Sequence, residues 1–301
     1  MSNLSKVPVP EEHQLHQAYD IEEDIERAKY HYDQDPRFFY RLTGGTWHVY
    51  SCLLWENEDT TPTQAQEAKL DLLAQGMGLK PGMRILDVGC GWGGPLVYLC
   101  KRYGVTGVGI MLNEQQREAA AMRAADNGVN ATFHVAHWKT FGKAEEFDAI
   151  YSDEVQAHIP SLPEFYRHSW ELLKMGGRLV NKELHYTHSR HSIFGRTGEA
   201  VHAVFNFSGH YVLLADEMKA LDDAGFEIVA LHHLPMSNYH RTLDFWLNNM
   251  HTYQDELKAV SDEAFYKACR KYLKIVRRLF TTNAMMMDIV VSQKIDPNEH
   301  A

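Results

Sequence analysis

Two periodicities alternate along this chain. Short apolar runs are separated by longer stretches whose apolar positions recur every three or four residues. "MRILDVGC" (83–90), "VTGVGIM" (105–111), "ATFHVAH" (131–137), "FDAIYSD" (147–153), "RLVNKELHY" (178–186) and "EIVALHHL" (227–234) read as strands. "MMMDIVV" (285–291) reads as a further, buried strand rather than a substrate wall. The intervening segments 61–79, 91–104, 113–128, 162–177 and 215–226 read as helices. Thr61 or Thr63 caps the first of these, Leu70, Leu72 and Leu73 give it an apolar face, and Gly76 and Gly78 end it. Gly104 and the Asn127-Gly128 pair close the next two. Strands alternating with helices imply right-handed crossovers, hence an α/β fold built on a doubly wound, mostly parallel sheet.

The rhythm breaks in three places. The first twenty residues are polar with two prolines and read as a loose arm, followed by a helix over 20–33. The segment 187–211 has no clear period, and 242–280 reads as one or two helices. These last two segments are candidates for a helical lid over the carboxyl edge of the sheet, where open α/β sheets bind ligands. The expected organisation is one integrated domain: an arm and covering segment over 1–60, a core over 61–186, and lid helices with the remaining strands over 187–301.

Composition narrows the class. With 301 residues, 45% hydrophobic and 23% charged, the chain can bury a full globular core. Its formal net charge of -10 argues against nucleic acid or an anionic membrane as a bulk partner, while leaving room for a local basic pocket. No apolar run is long enough for an integral membrane span, and the N-terminal residues lack a signal-peptide core. Cys52, Cys90, Cys100 and Cys269 form no C-x-x-C pair and no zinc spacing, which suits a reducing cytoplasm. A homo-oligomer is compatible with the sequence, which does not decide the point.

The most specific local signal is "LDVGCGWGG" (86–94), between a strand and a helix. Gly89, Gly91 and Gly93 let the backbone turn sharply and approach a ligand closely. The spacing differs from the dinucleotide G-x-G-x-x-G. With Asp87 at the strand end it resembles the first motif of class I S-adenosylmethionine (SAM) methyltransferases, which implies a Rossmann-like core. A tight turn with no ligand is the plain alternative.

Around that motif, "YHYD", "YSCLLWE", "TPTQAQEAKLDLL", "LKPGMRILDVGCGWGG", "GVGIMLNEQQ" and "NYHRTLDFW" together resemble the cyclopropane fatty acid synthase and mycolic acid cyclopropane synthase family. The similarity runs from about Tyr30 to the C-terminus, and plant alkaloid N-methyltransferases share the core. The resemblance implies that Tyr50 and Ser51 contact the methionine end of SAM and that Gly89 and Gly91 lie along its backbone. It implies that Met111, Leu112 and Gln116 hold the adenosine side, with His137 and Trp138 by the adenine. Core packing is the alternative for Trp138. The family also holds a bicarbonate that accepts a proton from the methylated carbocation, through a Cys, a Glu-His pair, a strand His and a Tyr. Cys52, His158 and Tyr239 match that set. Ala157 stands at the Glu position and Lys182 at the strand His position, so the resemblance to a cyclopropane-forming site is incomplete.

Another group must then take the proton, because an alkene carbon that accepts a methyl becomes a cation and a nearby base selects the product. "YSDEVQAHIP" (151–160) supplies Glu154, at a position resembling the catalytic Glu of isoprenyl diphosphate C-methyltransferases. Glu183 and His158 are the other candidates. A solvated loop, with Ser161 capping the next helix, is the plain reading of the same stretch. "NKELHYTHSRHSIFGR" (181–196) gathers Lys182, His185, His188, Arg190, His191 and Arg196 in an otherwise acidic chain. Lys182, His185 and Arg190 would suit a phosphate or diphosphate, and a diphosphate would bring Mg²⁺. A solvated loop accounts for the segment equally, and the histidine spacing specifies no metal. Phe207 and Tyr211, in "FNFSGHY", offer aromatic faces to a cation or an apolar tail, or to the core. The expectation is therefore a SAM-dependent C-methyltransferase acting on an alkene carbon of an isoprenoid or lipid-like acceptor, with an isoprenyl diphosphate favoured. A fatty-acyl lipid, a small amine, or a non-catalytic SAM-binding role are the alternatives.

Overall fold

The computed structural model describes residues 14–17, 19–22, 25, 35–191 and 210–296. Most of the helix expected over 20–33 lies outside the described residues, as do Arg196 and Phe207.

Among the described residues, seven strands form one sheet: β1 (Arg84–Val88), β2 (Thr106–Met111), β3 (Ala131–Val135), β4 (Phe147–Asp153), β5 (Leu173–Tyr186), β6 (Phe226–Leu234) and β7 (Met285–Lys294), in the order β3-β2-β1-β4-β5-β7-β6. β1 pairs in parallel with both β2 and β4, and β3 and β5 extend the parallel ladder on either side. β7 inserts antiparallel between β5 and β6. Each apolar run predicted as a strand is one. Alternation sends Ile85 into the core layer on one face, with Leu86 and Val88 in the layer on the other.

The helices described end to end are α1 (Pro36–Thr43), α2 (Pro62–Met77), α3 (Gly94–Tyr103), α4 (Glu114–Asn127), α5 (Leu162–Leu172), α6 (Leu214–Asp223), α7 (Ser237–Thr252), α8 (Gln254–Val260) and α9 (Glu263–Leu279). Thr61, not Thr63, caps α2: its hydroxyl accepts from Gln64 N, while the Gln64 side chain accepts from Thr61 N at 2.9 Å. Gly78, in the left-handed region at φ 64°, ends that helix. Asn113 caps α4, accepting from Gln116 N at 3.0 Å.

Three local details differ from the sequence reading. α1 was not anticipated; it is short, and its buried Phe38, Phe39 and Leu42 draw their stability from tertiary packing. α5 stops at Leu172, and Leu173–Gly177 already belongs to β5 across an irregular register. The 242–280 stretch is not one or two helices but three, with α7 starting earlier, at Ser237. No helix among the described residues is long and apolar enough to cross a membrane.

Strand order reverses between β1 and β4, so the loops after these strands diverge and leave a crevice at their carboxyl ends. α7 and α9 pack against each other above that edge, where Tyr239 of α7 reaches Glu154 after β4. The expected lid is thus made by the C-terminal helices.

Candidate active site

The glycine loop after β1 hangs from the end of β2. Gly89 N and Cys90 N both donate to Ile110 O at 3.0 Å. Gly89 and Gly91 have φ of 76° and 51°, values L-residues seldom adopt. A Cβ at Gly89 would sit 2.6 Å from Val155, so this loop and the post-β4 loop are in contact. A Cβ at Gly91 would meet nothing within 4 Å. Gly91 therefore borders open space, which fits close passage of a ligand along the backbone.

The expected adenosine-side residues converge on the neighbouring strand ends. Met111 closes β2, and Met111 O accepts from Ala136 N at 3.0 Å, which brings the His137-Trp138 pair alongside. Gln116 is buried in the first turn of α4. Trp138 packs edge-on to Phe165 and its buried indole N–H has no partner, so the ring has one face in the core and one polar group unspent. These features fit a bound SAM: glycine backbone, a capped helix start, and an orphaned indole donor. Asp87 lies deeper. Its carboxyl accepts from Tyr151 OH at 2.5 Å, and burial pushes it up to about 7.

The 151–160 stretch holds a buried ion cluster. Lys182 Nζ donates to Glu154 Oε1 at 2.5 Å and to Asp153 Oδ1 at 2.9 Å. Lys69 Nζ reaches the other oxygen of Asp153 and also donates to Ser51 Oγ at 2.9 Å. Both lysine side chains are fully buried. Two cations thus face two carboxylates, which is what makes their desolvation tolerable. Burial alone would raise Asp153, but Lys182 and Lys69 hold it well below the usual carboxylate range. Burial would lower Lys182, but Asp153 and Glu154 lift it above the ordinary lysine value. For Lys69 burial wins and its value falls.

Glu154 has φ 59°, a left-handed conformation rare for a non-glycine residue. It is fixed there by Glu154 N donating to Lys182 O at 2.7 Å and by three donors on its carboxylate. These are Lys182 Nζ, Cys52 N at 2.7 Å and Tyr239 OH at 2.5 Å. The covering segment is stitched in the same way. Ser51 Oγ donates to Asp153 at 2.7 Å, and Leu53 N and Trp55 N donate to Thr242 and Asn238 of α7. Cys52 contributes its backbone N–H, not its thiol, which burial pushes up to about 12.

Glu154, His158 and Glu183 line a single pocket together with Tyr50, Tyr211 and Tyr239. Four of the five expected catalytic residues therefore meet at one cavity, and Cys52 lies just behind it. Burial and the charge of Glu154 push Glu183 up to about 8, so at neutral pH it is chiefly the neutral acid. Its oxygens accept from Leu184 N at 2.8 Å and Ala157 N at 3.2 Å. The lid adds Leu243 and Trp246 from α7 and Tyr272, Leu273 and Val276 from α9, and Ala157 and Leu184 complete the wall. Tyr50 stacks on Trp246 with centroids 5.1 Å apart. None of the lining residues is a lysine or arginine.

Three expected substrate-binding residues, Lys182, His185 and Arg190, are not in this wall. Lys182 is consumed by Asp153 and Glu154. His185 is fully buried on the opposite face of β5, between Glu217 and Asp288, with Nδ1 3.1 Å from the latter. Asp288 also holds the exposed His233 at 3.0 Å. Burial disfavours the imidazolium, but the two carboxylates lift His185 to about 9. Both residues are internal ion partners rather than contacts for a phosphate. Arg190 is exposed. Among the described residues no group of three or more His, Cys, Asp or Glu could hold a metal ion.

Lys69 was missed from the sequence, and the lid was read only as a segment, 242–280, without its wall residues. Lys69 sits four residues after Ala65 and four before Leu73, on the buried face of α2, and that placement was the available signal.

Residues 19–290 match the family model described as mycolic acid cyclopropane synthetase. A "Probable fatty acid methyltransferase" of Mycobacterium tuberculosis is 29% identical over 283 residues, covering 91% of this chain, which spans 64% of that relative's length. The cyclopropane synthase MmaA2 of Mycobacterium tuberculosis superposes with a TM-score of 0.82 at 25% identity, covering 90% of this chain and 98% of the other. Mycolic acid cyclopropane synthase CmaA1, solved with SAH and CTAB, gives the same TM-score, identity and coverage.

Proposed function

This chain belongs to the mycolic acid cyclopropane synthetase family, and from that premise we propose that it is a SAM-dependent methyltransferase acting on an alkene carbon of a fatty-acyl lipid, with Glu154 as the base. One observation carries the reading. Three donors, Cys52 N–H, Tyr239 OH and Lys182 Nζ, converge on a carboxylate that belongs to the chain itself and lines the acceptor pocket. In the resemblance to cyclopropane synthases, Cys52 and Tyr239 match ligands of a bicarbonate. Here Glu154 takes the anion's place, which accounts for the unmatched Ala157 and Lys182.

SAM, when bound along Gly89 and Gly91, supplies an electrophilic methyl group. The protein's part is to position the acceptor, exclude water and receive a proton. Tyr50, Tyr211, Tyr239, Trp246 and Tyr272 surround the acceptor with ring faces that favour a cation. Glu154 stabilises the charge left on the acceptor carbon and accepts the proton shed from its neighbour. Lys182 fixes the carboxylate. Glu183, neutral at pH 7, adds no second negative charge to the pocket at that pH.

An isoprenyl diphosphate is the second reading, supported by exposed His188 and Arg190 beyond β5. It lost Lys182 and His185 as phosphate contacts, so the acyl lipid is preferred. Labelled methyl transfer from SAM decides between them, using an unsaturated phospholipid and isopentenyl and geranyl diphosphates, each with and without Mg²⁺. Glu154→Gln should lower transfer to the true acceptor roughly 10²–10⁴-fold with SAM affinity kept. Undiminished turnover by that variant removes Glu154 from the mechanism.

A further inference from the structure

The acceptor pocket holds two carboxyl groups in opposite settings. Glu154 carries a cation, Lys182 Nζ at 2.5 Å, together with its two other donors. Glu183 is 3% exposed and has no ion pair among the described residues. It accepts from Leu184 N at 2.8 Å and from Ala157 N at 3.2 Å, and neither bond uses a proton of its own. The titratable groups around it are Glu154 and His158 of the post-β4 loop, His185 of β5, Tyr166 of α5 and Tyr211. His185 is already held by Glu217 and Asp288. A buried carboxyl that faces a carboxylate and lacks a counter-ion keeps its proton. Burial and the charge of Glu154 accordingly push Glu183 up to about 8. Its O–H is left to donate to whatever fills the cavity.

A plain alkene makes no use of that donor. An ionised base and a neutral acid in one cavity suit a carbon made acidic by a neighbouring carbonyl. The base takes the proton from carbon, and the acid donates to the carbonyl oxygen as negative charge gathers there. A carboxylate is a weak base, which selects a carbon flanked by two carbonyls. Leu243, Leu273 and Val276 of the lid offer an apolar surface to an acyl tail.

We propose that the pocket also methylates a β-ketoacyl chain at the carbon between its two carbonyls, with Glu183 as the acid that holds the enolate oxygen. Glu154 takes a proton from that carbon, and the electron pair of the broken C–H bond becomes the enolate. The enolate carbon forms a bond to the methyl group of SAM. The methyl–sulfur bond breaks with its electrons left on sulfur, giving S-adenosylhomocysteine and a neutral methylated diketone unit. The proton stays on Glu154, and no oxidant or reductant takes part. The proposal shares Glu154 as base with the alkene reading and is otherwise independent of it.

The test uses the full chain and a β-ketooctanoyl thioester of N-acetylcysteamine. Without SAM, the protein should accelerate exchange of the central hydrogens with D₂O above the buffer rate. With labelled SAM it should place the methyl on that carbon, and the octanoyl thioester lacking the β-carbonyl should show neither reaction. Glu183→Leu should lower exchange and transfer about 10²–10³-fold, the usual loss for one oxyanion donor, with SAM affinity and melting temperature near wild type. Both rates should fall in the wild type as pH rises through about 8, where Glu183 loses its proton. Glu183→Gln keeps an N–H donor and does not titrate, so it should retain most of the rate without that alkaline fall. Full exchange by Glu183→Leu, or an alkaline fall that persists in Glu183→Gln, overturns the proposal. Transfer to an unsaturated phospholipid with no exchange on the β-ketoacyl thioester overturns it too and leaves the alkene reading standing. Exchange and transfer on the thioester with none to any unsaturated lipid supports it and refutes the alkene reading alone.

Discussion

Replacing Glu154 by glycine should convert a built-in base into an anion-dependent one. The substitution removes the carboxylate but leaves Cys52 N–H, Tyr239 OH and Lys182 Nζ aimed at the vacated volume. It also suits the backbone, because φ 59° is a conformation glycine adopts freely. Breaking one contact of a buried ion cluster costs about 3–5 kcal/mol. Relief of the left-handed conformation returns roughly 1 kcal/mol. The net loss of about 2–4 kcal/mol leaves a folded but less stable enzyme. Without the base, methyl transfer should fall about 10²–10⁴-fold. Bicarbonate or formate is smaller than the side chain removed and presents oxygens to the same donors. Either should restore activity in a saturable way, and chloride should not. The assay is transfer of labelled methyl from SAM at graded anion concentrations, with SAM affinity measured in parallel. Two results refute the reasoning: a variant with SAM affinity intact that no small carboxylate rescues, or one that retains the wild-type rate without added anion.

Gly91→Ala should weaken SAM binding tenfold or more, because its Cβ enters open space beside the loop, while Gly128→Ala, with a similar φ of 62° and equally open surroundings, should cost the same roughly 1 kcal/mol of stability and leave SAM affinity unchanged by calorimetry. Gly94→Ala should destabilise strongly, since its Cβ would fall 1.7 Å from Trp47 O, and the melting temperature reports it. His185 has a folded value of about 9 against an ordinary 6.5, so its contribution is fully present below pH 6.5 and lost as pH rises through 9. Stability should therefore decline across that window by roughly 3 kcal/mol more in wild type than in His185→Gln, read from denaturant melts at each pH. Lys69→Met should cost about 3–5 kcal/mol by leaving Asp153 with one cation, measured in the same way.

The sequence by itself determined the strands of the sheet, the glycine turn and most of the residues that gather at one pocket. Each strand is a local apolar run, and α2 and α4 carry their own cap and stop, Thr61 with Gly78 and Asn113 with Gly128. Such signals act between near neighbours, so they are legible in order along the chain. Tyr50, Glu154, His158 and Tyr239 were legible through motifs, and all four reached one pocket. Only the tertiary structure decided how the charges pair. Lys182 and His185 read as groups free for a phosphate because their partners are remote or on other strands. Glu217 lies 32 residues from His185 and Asp288 lies 103 away. Nothing local distinguishes a buried lysine that answers two carboxylates from an exposed one awaiting a ligand. The same holds for Lys69, whose partner Asp153 is 84 residues on. α1 was illegible for a related reason: a helix of 8 residues gains little from its own hydrogen bonds and is held by what it packs against. Local periodicity fixes which segments become strands and helices. The pairing of buried charges depends on which strand ends the sheet order brings together, and that is settled only when the chain closes on itself.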